Sequence, residues 1–238
     1  MPKQTTIFIT GTDTGVGKTV LTCAWVRYLR EIGVSAMAIK PFATGTLQDS
    51  KALAQAQGNC LAAREITPFF FPQPVAPAIA ARTRDCDVHF SDVLKHIHKI
   101  QTRCKFLLIE GCGGLLVPLL DSFLVRDLIV KLDCPALVVA PNQLGTINHT
   151  LLTIECMYSV NIEVLAIVMV EPKRANFVSK KNSQFFLEFF DFSPFSRMVS
   201  FPHLGVRSLE GVPAKRTEKK IKIPLARLSE FANVRPFF

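Results

Sequence analysis

The stretch Thr10-Gly11-Thr12-Asp13-Thr14-Gly15-Val16-Gly17-Lys18-Thr19 constrains this chain more than any other. The apolar run Thr6 to Ile9 stands before it and the helix-like run Val20 to Val26 follows it. A strand, a glycine-rich turn and a helix opening on Gly-Lys-Thr make a phosphate-binding P-loop. Backbone N–H groups at the helix start converge on an anion, and the helix dipole favours negative charge there. In such a loop Lys18 reaches the outer phosphates of a nucleoside triphosphate, and the Thr19 hydroxyl ligates Mg²⁺. The nucleotide-contacting residues expected here are Gly11, Thr12, Asp13, Thr14, Gly15, Val16, Gly17, Lys18 and Thr19. The spacing is unusual, because Thr12 stands where the first glycine of the usual pattern falls and Gly11 is one position early. A chance glycine-rich turn explains the glycines alone. It does not explain strand, Gly-Lys-Thr and helix together.

Apolar runs bounded by turn residues alternate with helix-like segments along the rest of the chain. Val34 to Ile39, Phe106 to Ile109, Ala136 to Ala140 and Val164 to Val170 read as strands. Ser50 to Gln57, Leu124 to Leu132 and Asn148 to Val160 read as helices, with a further one around Ser183 to Phe190. Continuous apolar strands separated by helices indicate a parallel sheet covered on both faces. The expected architecture is therefore a doubly wound, P-loop NTPase-like α/β fold. With neither repeat nor linker in view, residues 1–238 read as a single domain, with 206–238 a basic C-terminal segment of unsettled order. Residues 66–81 carry Pro68, Pro72, Pro74 and Pro77 and read as a long ordered loop leading into a helix.

Composition narrows the setting. Apolar residues make up 49% of the 238, enough for a sizeable core, yet no apolar run is long enough to span a bilayer. The N-terminus leads straight into the first strand and leaves no room for a secretory signal. Seven cysteines, an odd number with no C-x-x-C pair, read as thiols in a reducing, cytoplasmic setting. His96 and His98 are two apart, so on a helix they would not share a face as metal ligands. The net charge of +9 is concentrated late, at Lys180, Lys181, Lys215, Arg216, Lys219, Lys220 and Lys222. No nucleic-acid motif accompanies it, so it reads as a solvated surface, with neither nucleic acid nor membrane expected as a partner.

Ligands of an open parallel sheet bind beyond the carboxyl ends of its strands. Four strand ends here are polar or glycine-rich: Gly11 to Thr19, Lys40 to Gly45, Glu110 to Gly114, and Pro141 to Asn148. Lys40 reads either as a surface lysine or as a partner for an anion. Glu110 reads as a turn residue or as a carboxylate for Mg²⁺. Asp49, at the start of a helix, reads as an N-cap or as a second Mg²⁺ carboxylate.

Taken together, these residues resemble the dethiobiotin synthetase family. The likeness is carried by Gly11 to Thr19, Lys40-Pro41 with Thr44-Gly45, and Asp49 before Ala52-Leu53. It continues through Pro74 to Pro77, Glu110-Gly-Cys-Gly-Gly, Leu144-Gly-Thr-Ile-Asn-His and Phe201-Pro-His-Leu, and covers roughly residues 5–205. The resemblance implies ATP- and Mg²⁺-dependent joining of CO₂ to 7,8-diaminononanoate and closure of a cyclic urea, through a carbamate and a carbamic–phosphoric anhydride. It implies catalytic Lys18 and Lys40, and Mg²⁺ held by Thr19, Asp49 and Glu110. Substrate contacts are implied at Thr14, Lys40 and Thr44, and at Gly145, Thr146, Ile147 and Asn148 supplied by a second subunit of a homodimer. Three departures stand out: Gly15 where many members have Glu, a gap that aligns either Asp49 or Lys51 with the metal carboxylate, and Glu171 where the family often has an Asn that reads adenine. Glu171 is accordingly expected at the nucleotide base.

A partition- or Mrp-type P-loop ATPase is the nearest alternative. Such proteins carry a second lysine five residues before the P-loop lysine, where this chain has Asp13. A cobalamin-pathway amidoligase would need a further glutaminase domain, for which the chain is too short.

Overall fold

The architecture follows from four strands buried on both faces. In a computed structural model of the chain, residues 4–83, 88–189, 195–204 and 215–234 are described. The elements in order are β1 (Thr5–Gly11), α1 (Lys18–Glu31), β2 (Ala36–Ile39), β3 (Phe42–Thr44), α2 (Gln48–Ala56), α3 (Ala63–Ile66), β4 (Phe69–Phe71), α4 (Pro77–Thr83) and α5 (Phe90–Gln101). They continue with β5 (Phe106–Glu110), β6 (Pro118–Leu120), β7 (Phe123–Leu124), α6 (Val125–Leu132), β8 (Ala136–Pro141) and α7 (Thr146–Tyr158). Last come β9 (Val164–Val170), α8 (Phe177–Phe189), β10 (Met198–Phe201) and α9 (Lys215–Phe231).

Six strands form one parallel sheet in the order β10-β9-β8-β1-β5-β2. This is the single α/β, P-loop-like architecture expected from the sequence. Strand β5 is buried along its whole length, as are the first five residues of β8 and the first six of β9. Right-handed crossovers then fix the helices. From β1 the chain moves one way to β2 and from β5 the other way to β8. That reversal puts α1 on one face and α6, α7 and α8 on the other. It also makes β1, between β5 and β8, the place where connections part, which opens a crevice at its carboxyl end.

The edge strand β2 is closed by a side chain. Gln57, just past α2, accepts from the Ala38 N–H and donates to the Ala38 carbonyl, both at 3.0 Å. It replaces the bonds of a neighbouring strand, which is one way to protect an exposed edge.

Several expectations shift in detail. Strand β2 starts at Ala36 rather than Val34, and α7 starts at Thr146 rather than Asn148. The proline-rich stretch 66–81 is less irregular than expected: β4 lies within it and pairs in parallel with β3, and α4 begins at Pro77. The helix expected around Ser183 to Phe190 begins earlier, at Phe177, and Phe190 lies outside the described residues. Of the basic C-terminal segment, 206–214 also lie outside them. Residues Lys215–Phe231 form α9, which packs on α1 and β10. Its apolar seam Ile221, Leu225, Leu228 and Ala232 is buried. Trp25 of α1, fully buried, donates its indole N–H to Ser229 Oγ at 3.1 Å.

Trp25 is the only tryptophan in the chain. Trp25→Ala is expected to cost about 3–5 kcal/mol of unfolding free energy. Ser229→Ala, which strands one buried donor, should cost about 1 kcal/mol. Denaturant titration by circular dichroism checks both; a loss below 1 kcal/mol for Trp25→Ala would mean that α9 does not seal α1.

Candidate active site

The turn from β1 into α1 is shaped by two glycines in the left-handed region. Gly15 has φ +75° and Gly17 φ +104°, and Gly17 serves as the N-cap of α1 without any side-chain cap. A β-carbon on Gly17 would also come within 3.3 Å of Val170 Cγ2 at the end of β9. The uncapped helix start leaves its N–H groups for an anion. Lys18, the first residue of the helix and only 6% exposed, folds back so that Nζ donates to the Asp13 carbonyl at 2.7 Å.

Three further elements deliver charge to the same place. Lys40, at the end of β2, is 7% exposed, so it is not a surface lysine. Its ammonium donates to Glu110 Oε1 at 2.9 Å and to Asp49 Oδ2. Glu110 closes β5 and is 1% exposed. Its Oε1 also accepts from Thr19 Oγ1 at 2.6 Å, while Oε2 is buried with no hydrogen-bond partner. Asp49 lies in the first turn of α2, but the N-cap is Leu47 and no side chain caps the helix. The N-cap reading of Asp49 therefore gives way to the ion pair with Lys40. Lys51, the alternative from the other gap placement, is exposed and does not line the site.

Burial shapes the two lysines differently. It lowers the pKa of the Lys18 ammonium; Glu110 opposes this, and the neighbouring positive charge of Lys40 adds to it. Burial pulls on Lys40 in the same direction, but the carboxylates of Glu110 and Asp49 outweigh it, and the net shift is upward. Lys40 is thus a firmly held cation. The thiol of Cys112, nearby, is raised chiefly by burial.

These groups line one cavity of about 660 Å³. Thr14, Gly15, Gly17, Lys18 and Thr19 form its P-loop wall, and Lys40, Thr44, Thr46, Asp49 and Glu110 continue the lining from there. The segment Pro74 to Pro77 closes a third side. Pairing of β3 with β4 brings it there, and a β-carbon on Gly45 would sit 3.2 Å from Pro74 Cβ. Cys112 and Gly113 also line it. Gly113 has φ +69°, and a β-carbon there would clash with Val117 Cγ2 at 2.7 Å and stand 3.4 Å from Thr14 Oγ1. That contact accounts for glycine at position 113. Thr46, the Pro74 wall and Cys112 are not among the site residues expected from the sequence, although Pro74 to Pro77 and Cys112 lie in segments that carry the resemblance, and Thr46 has no such signal.

The remaining expected residues lie elsewhere. Gly145 is the left-handed N-cap of α7, Thr146 is buried, and Asn148 is exposed. None of Gly145, Thr146, Ile147 and Asn148 lines the cavity. Glu171 stands just past β9, where its carboxylate accepts from Asn142 Nδ2 at 3.0 Å and Ser200 Oγ at 2.8 Å. It too is absent from the cavity wall. Among the described residues no three His, Cys, Asp or Glu side chains group as a metal cage. The oxygens available for a hard cation are the Thr19 hydroxyl, the Asp49 carboxylate and the unpartnered Glu110 Oε2, a donor set that suits Mg²⁺ bound jointly with phosphate.

The fold and this site define a P-loop nucleotide-binding α/β protein. A family model described as an AAA domain matches residues 5–207. The ATP-dependent dethiobiotin synthetase of Bacillus velezensis is 40% identical over 167 residues, covering 68% of this chain and 72% of that protein. The enzyme of the same name from Endomicrobium trichonymphae is 38% identical over 184 residues, covering 74% and 84%. Among solved structures, a putative plasmid partition protein from Borrelia burgdorferi bound to AMPPNP aligns with a TM-score of 0.60 at 11% identity. It covers 96% of this chain and 98% of that one, a likeness of fold alone. The chain belongs to the dethiobiotin synthetase family, and it is an enzyme, a cyclo-ligase.

The opposed shifts of the two lysines give a chemical signature. At about pH 9 an ordinary lysine is still mostly protonated. Lys18, with its pKa lowered, is expected to be acylated by an amine-reactive ester several-fold faster than Lys40. Peptide mass mapping reads both rates, and equal or reversed rates would contradict the assigned electrostatics.

Proposed function

We propose that this enzyme joins 7,8-diaminononanoate and CO₂ at the expense of ATP to give dethiobiotin, ADP and phosphate. The observation that carries the reading is the meeting of Lys40, Asp49 and Glu110, from β2, α2 and β5, opposite Lys18 and Thr19 of the P-loop.

An amine of the substrate takes up CO₂ and releases a proton, giving a carbamate in the cavity beside Lys40 and Thr44. A carbamate oxygen then attacks the γ-phosphorus of ATP and ADP leaves, forming a carbamic–phosphoric anhydride. The second amine attacks the carbonyl carbon, phosphate departs, and the five-membered urea closes. Lys18 compensates charge that builds on the transferred phosphoryl group, and Lys40 compensates charge on the carbamate and anhydride oxygens. Thr14, between nucleotide and substrate, and Thr44 orient the reacting groups, since such chemistry depends on positioning and charge. Thr19, Asp49 and Glu110 would hold Mg²⁺, which when bound neutralises phosphate charge.

The substrate's remote carboxylate is taken by backbone N–H groups at Gly145 to Asn148 of a second copy of the chain. Two features support a shared site. The loop stands away from its own subunit's cavity, and its tip is apolar and solvent-facing, with Leu144 86% exposed. Beside the P-loop, a groove of about 510 Å³ lined by Thr12, Asp13, Leu116, His149 and Leu152 carries further exposed apolar surface.

The nucleotide base lies towards the end of β9, on the far side of the P-loop from the substrate cavity. There Glu171, held by Asn142 and Ser200, offers acceptors only and so favours bases with an exocyclic amine.

Incubation with diaminononanoate, bicarbonate, Mg²⁺ and ATP, followed by mass detection of dethiobiotin, tests the reading directly. Lys18→Ala and Lys40→Ala should each lower turnover by at least about a hundredfold in protein that remains folded, because each cation meets charge that grows in the transition state. Lys18→Ala should also weaken nucleotide binding. Near-normal turnover in the Lys40 variant would remove it from the site. Lys18→Ala and Asn148→Ala proteins, each inactive, should regain activity when mixed and allowed to exchange subunits; a fully active monomer in light scattering would contradict the shared site. With ATP, CTP, GTP and UTP compared, Glu171→Asn should change the ranking, and an unchanged ranking would show that Glu171 does not read the base.

A further inference from the structure

Asp49 sits on a helix whose start is only weakly capped. The residue before α2 is Leu47, which supplies no cap, and the first N–H, that of Gln48, has only a long bond of 3.4 Å to the exposed Thr46 Oγ1. Yet Asp49 has to reach the Lys40 ammonium, so a firmer contact must fix where the helix begins. The next residue does this. Ser50 is fully buried, and its hydroxyl shares a hydrogen bond of 2.5 Å with the buried hydroxyl of Thr67. Consecutive helical side chains diverge by about 100°. Asp49 can therefore face the cavity while Ser50 faces inward.

Thr67 is itself tied to the site. It follows Ile66, the last residue of α3, and the Ile66 carbonyl accepts from the backbone N–H of Lys40 at 3.0 Å. The links close on themselves: Lys40 backbone to Ile66, Ile66 along the chain to Thr67, Thr67 to Ser50, Ser50 to Asp49, and Asp49 to the Lys40 ammonium. At the other end of α2, Gln57 bonds both backbone groups of Ala38. The helix is pinned at each end, and the pin nearer the site is the Ser50–Thr67 pair.

We infer that Ser50 and Thr67 are positioning residues for Asp49 and set how tightly the site holds a divalent cation. The inference rests on the proposed role of Asp49 as a ligand of Mg²⁺. Neither hydroxyl touches the reacting groups. Loss of either lets the first turn of α2 move, and Asp49 with it.

The test is direct binding of Mn²⁺, in place of Mg²⁺, read from the paramagnetic resonance signal of the free ion. ATP is present below the protein concentration and diaminononanoate is left out. Ser50→Ala and Thr67→Ala should each weaken Mn²⁺ binding by about three- to tenfold, the effect of losing one hydrogen bond. The double variant should be no worse than either single one, because the same bond is lost once. Thr67→Ser, which keeps the hydroxyl, should bind like wild type. Asp49→Asn should weaken binding, and adding Ser50→Ala to it should change nothing further. Thermal unfolding confirms that each variant is folded. If Asp49→Asn weakens binding and Ser50→Ala does not, the positioning role is overturned while Asp49 remains a ligand. If Asp49→Asn has no effect, both the ligand reading and the inference fall. An equal further loss on adding Ser50→Ala to Asp49→Asn would likewise overturn the inference, since the hydroxyl would then act through something else.

Discussion

The ammonium of Lys40, buried between Asp49 and Glu110, sets the terms for everything around it. Taking a charge out of water costs several kcal/mol per ion even after relaxation, and an unpaired one would not be tolerated. Lys40 is therefore stable inside the protein only because the fold brings two carboxylates to it from different elements. Strand β5 must lie next to β2 so that Glu110 reaches Lys40, and β1 must lie next to β5 so that the P-loop reaches Glu110. Hydrophobic residues of similar volume would often stabilise a core as well or better than such a network. Its presence marks the carboxyl edge of the sheet as the place where charge has work to do.

The same arithmetic explains the asymmetry between the two lysines. The main counter-charge of Lys18 is Glu110, which is shared with Thr19 and Lys40, and Asp13 adds less. Its positive charge is under-compensated by the protein and suited to an incoming polyanion. Lys40 is over-compensated and stays charged and fixed. One cation thus waits for phosphate and the other holds its position against the smaller anion formed from the second substrate, which is the division of labour the proposed reaction requires.

What could be read from the sequence was what is local. Strands β5, β8 and β9 are continuous apolar runs, and the P-loop is contiguous, so both were visible without a structure. Lys40 and Glu110 were legible because ligands gather at the carboxyl ends of parallel strands. Asp49 was ambiguous for a physical reason: a carboxylate in the first turn of a helix satisfies the helix dipole whether or not it does anything else. Only its contact with Lys40 separates the two readings. The partners of Glu171, Asn142 and Ser200, come from just past β8 and from β10 and leave no local trace. Helix α9 was hidden by its own charge. Its lysines dominate the composition, whereas the seam Ile221, Leu225, Leu228 and Ala232 runs at helical spacing across an interrupting Pro224. The residue that gives the seam meaning, Trp25, is about two hundred positions away.

The sheet and its P-loop define how a nucleotide is held, but they are shared by proteins with little sequence in common, so they do not define what is done with it. That difference lies in what the other strand ends carry. Lys40 at the end of β2, Thr44 on β3 and the Pro74 to Pro77 wall extend the cavity beyond the P-loop. A nucleotide switch needs no such room. A ligase does, because its second substrate must meet the terminal phosphate in line and away from bulk water. The small β3–β4 pair is what creates that room: it is the only parallel pairing among the described residues outside the main sheet, and it carries the proline-rich segment across to face the P-loop. On this view the chemistry of the chain is set less by its P-loop than by the segment between β2 and α5, where Asp49, its Ser50–Thr67 brace and the Pro74 to Pro77 wall all reside.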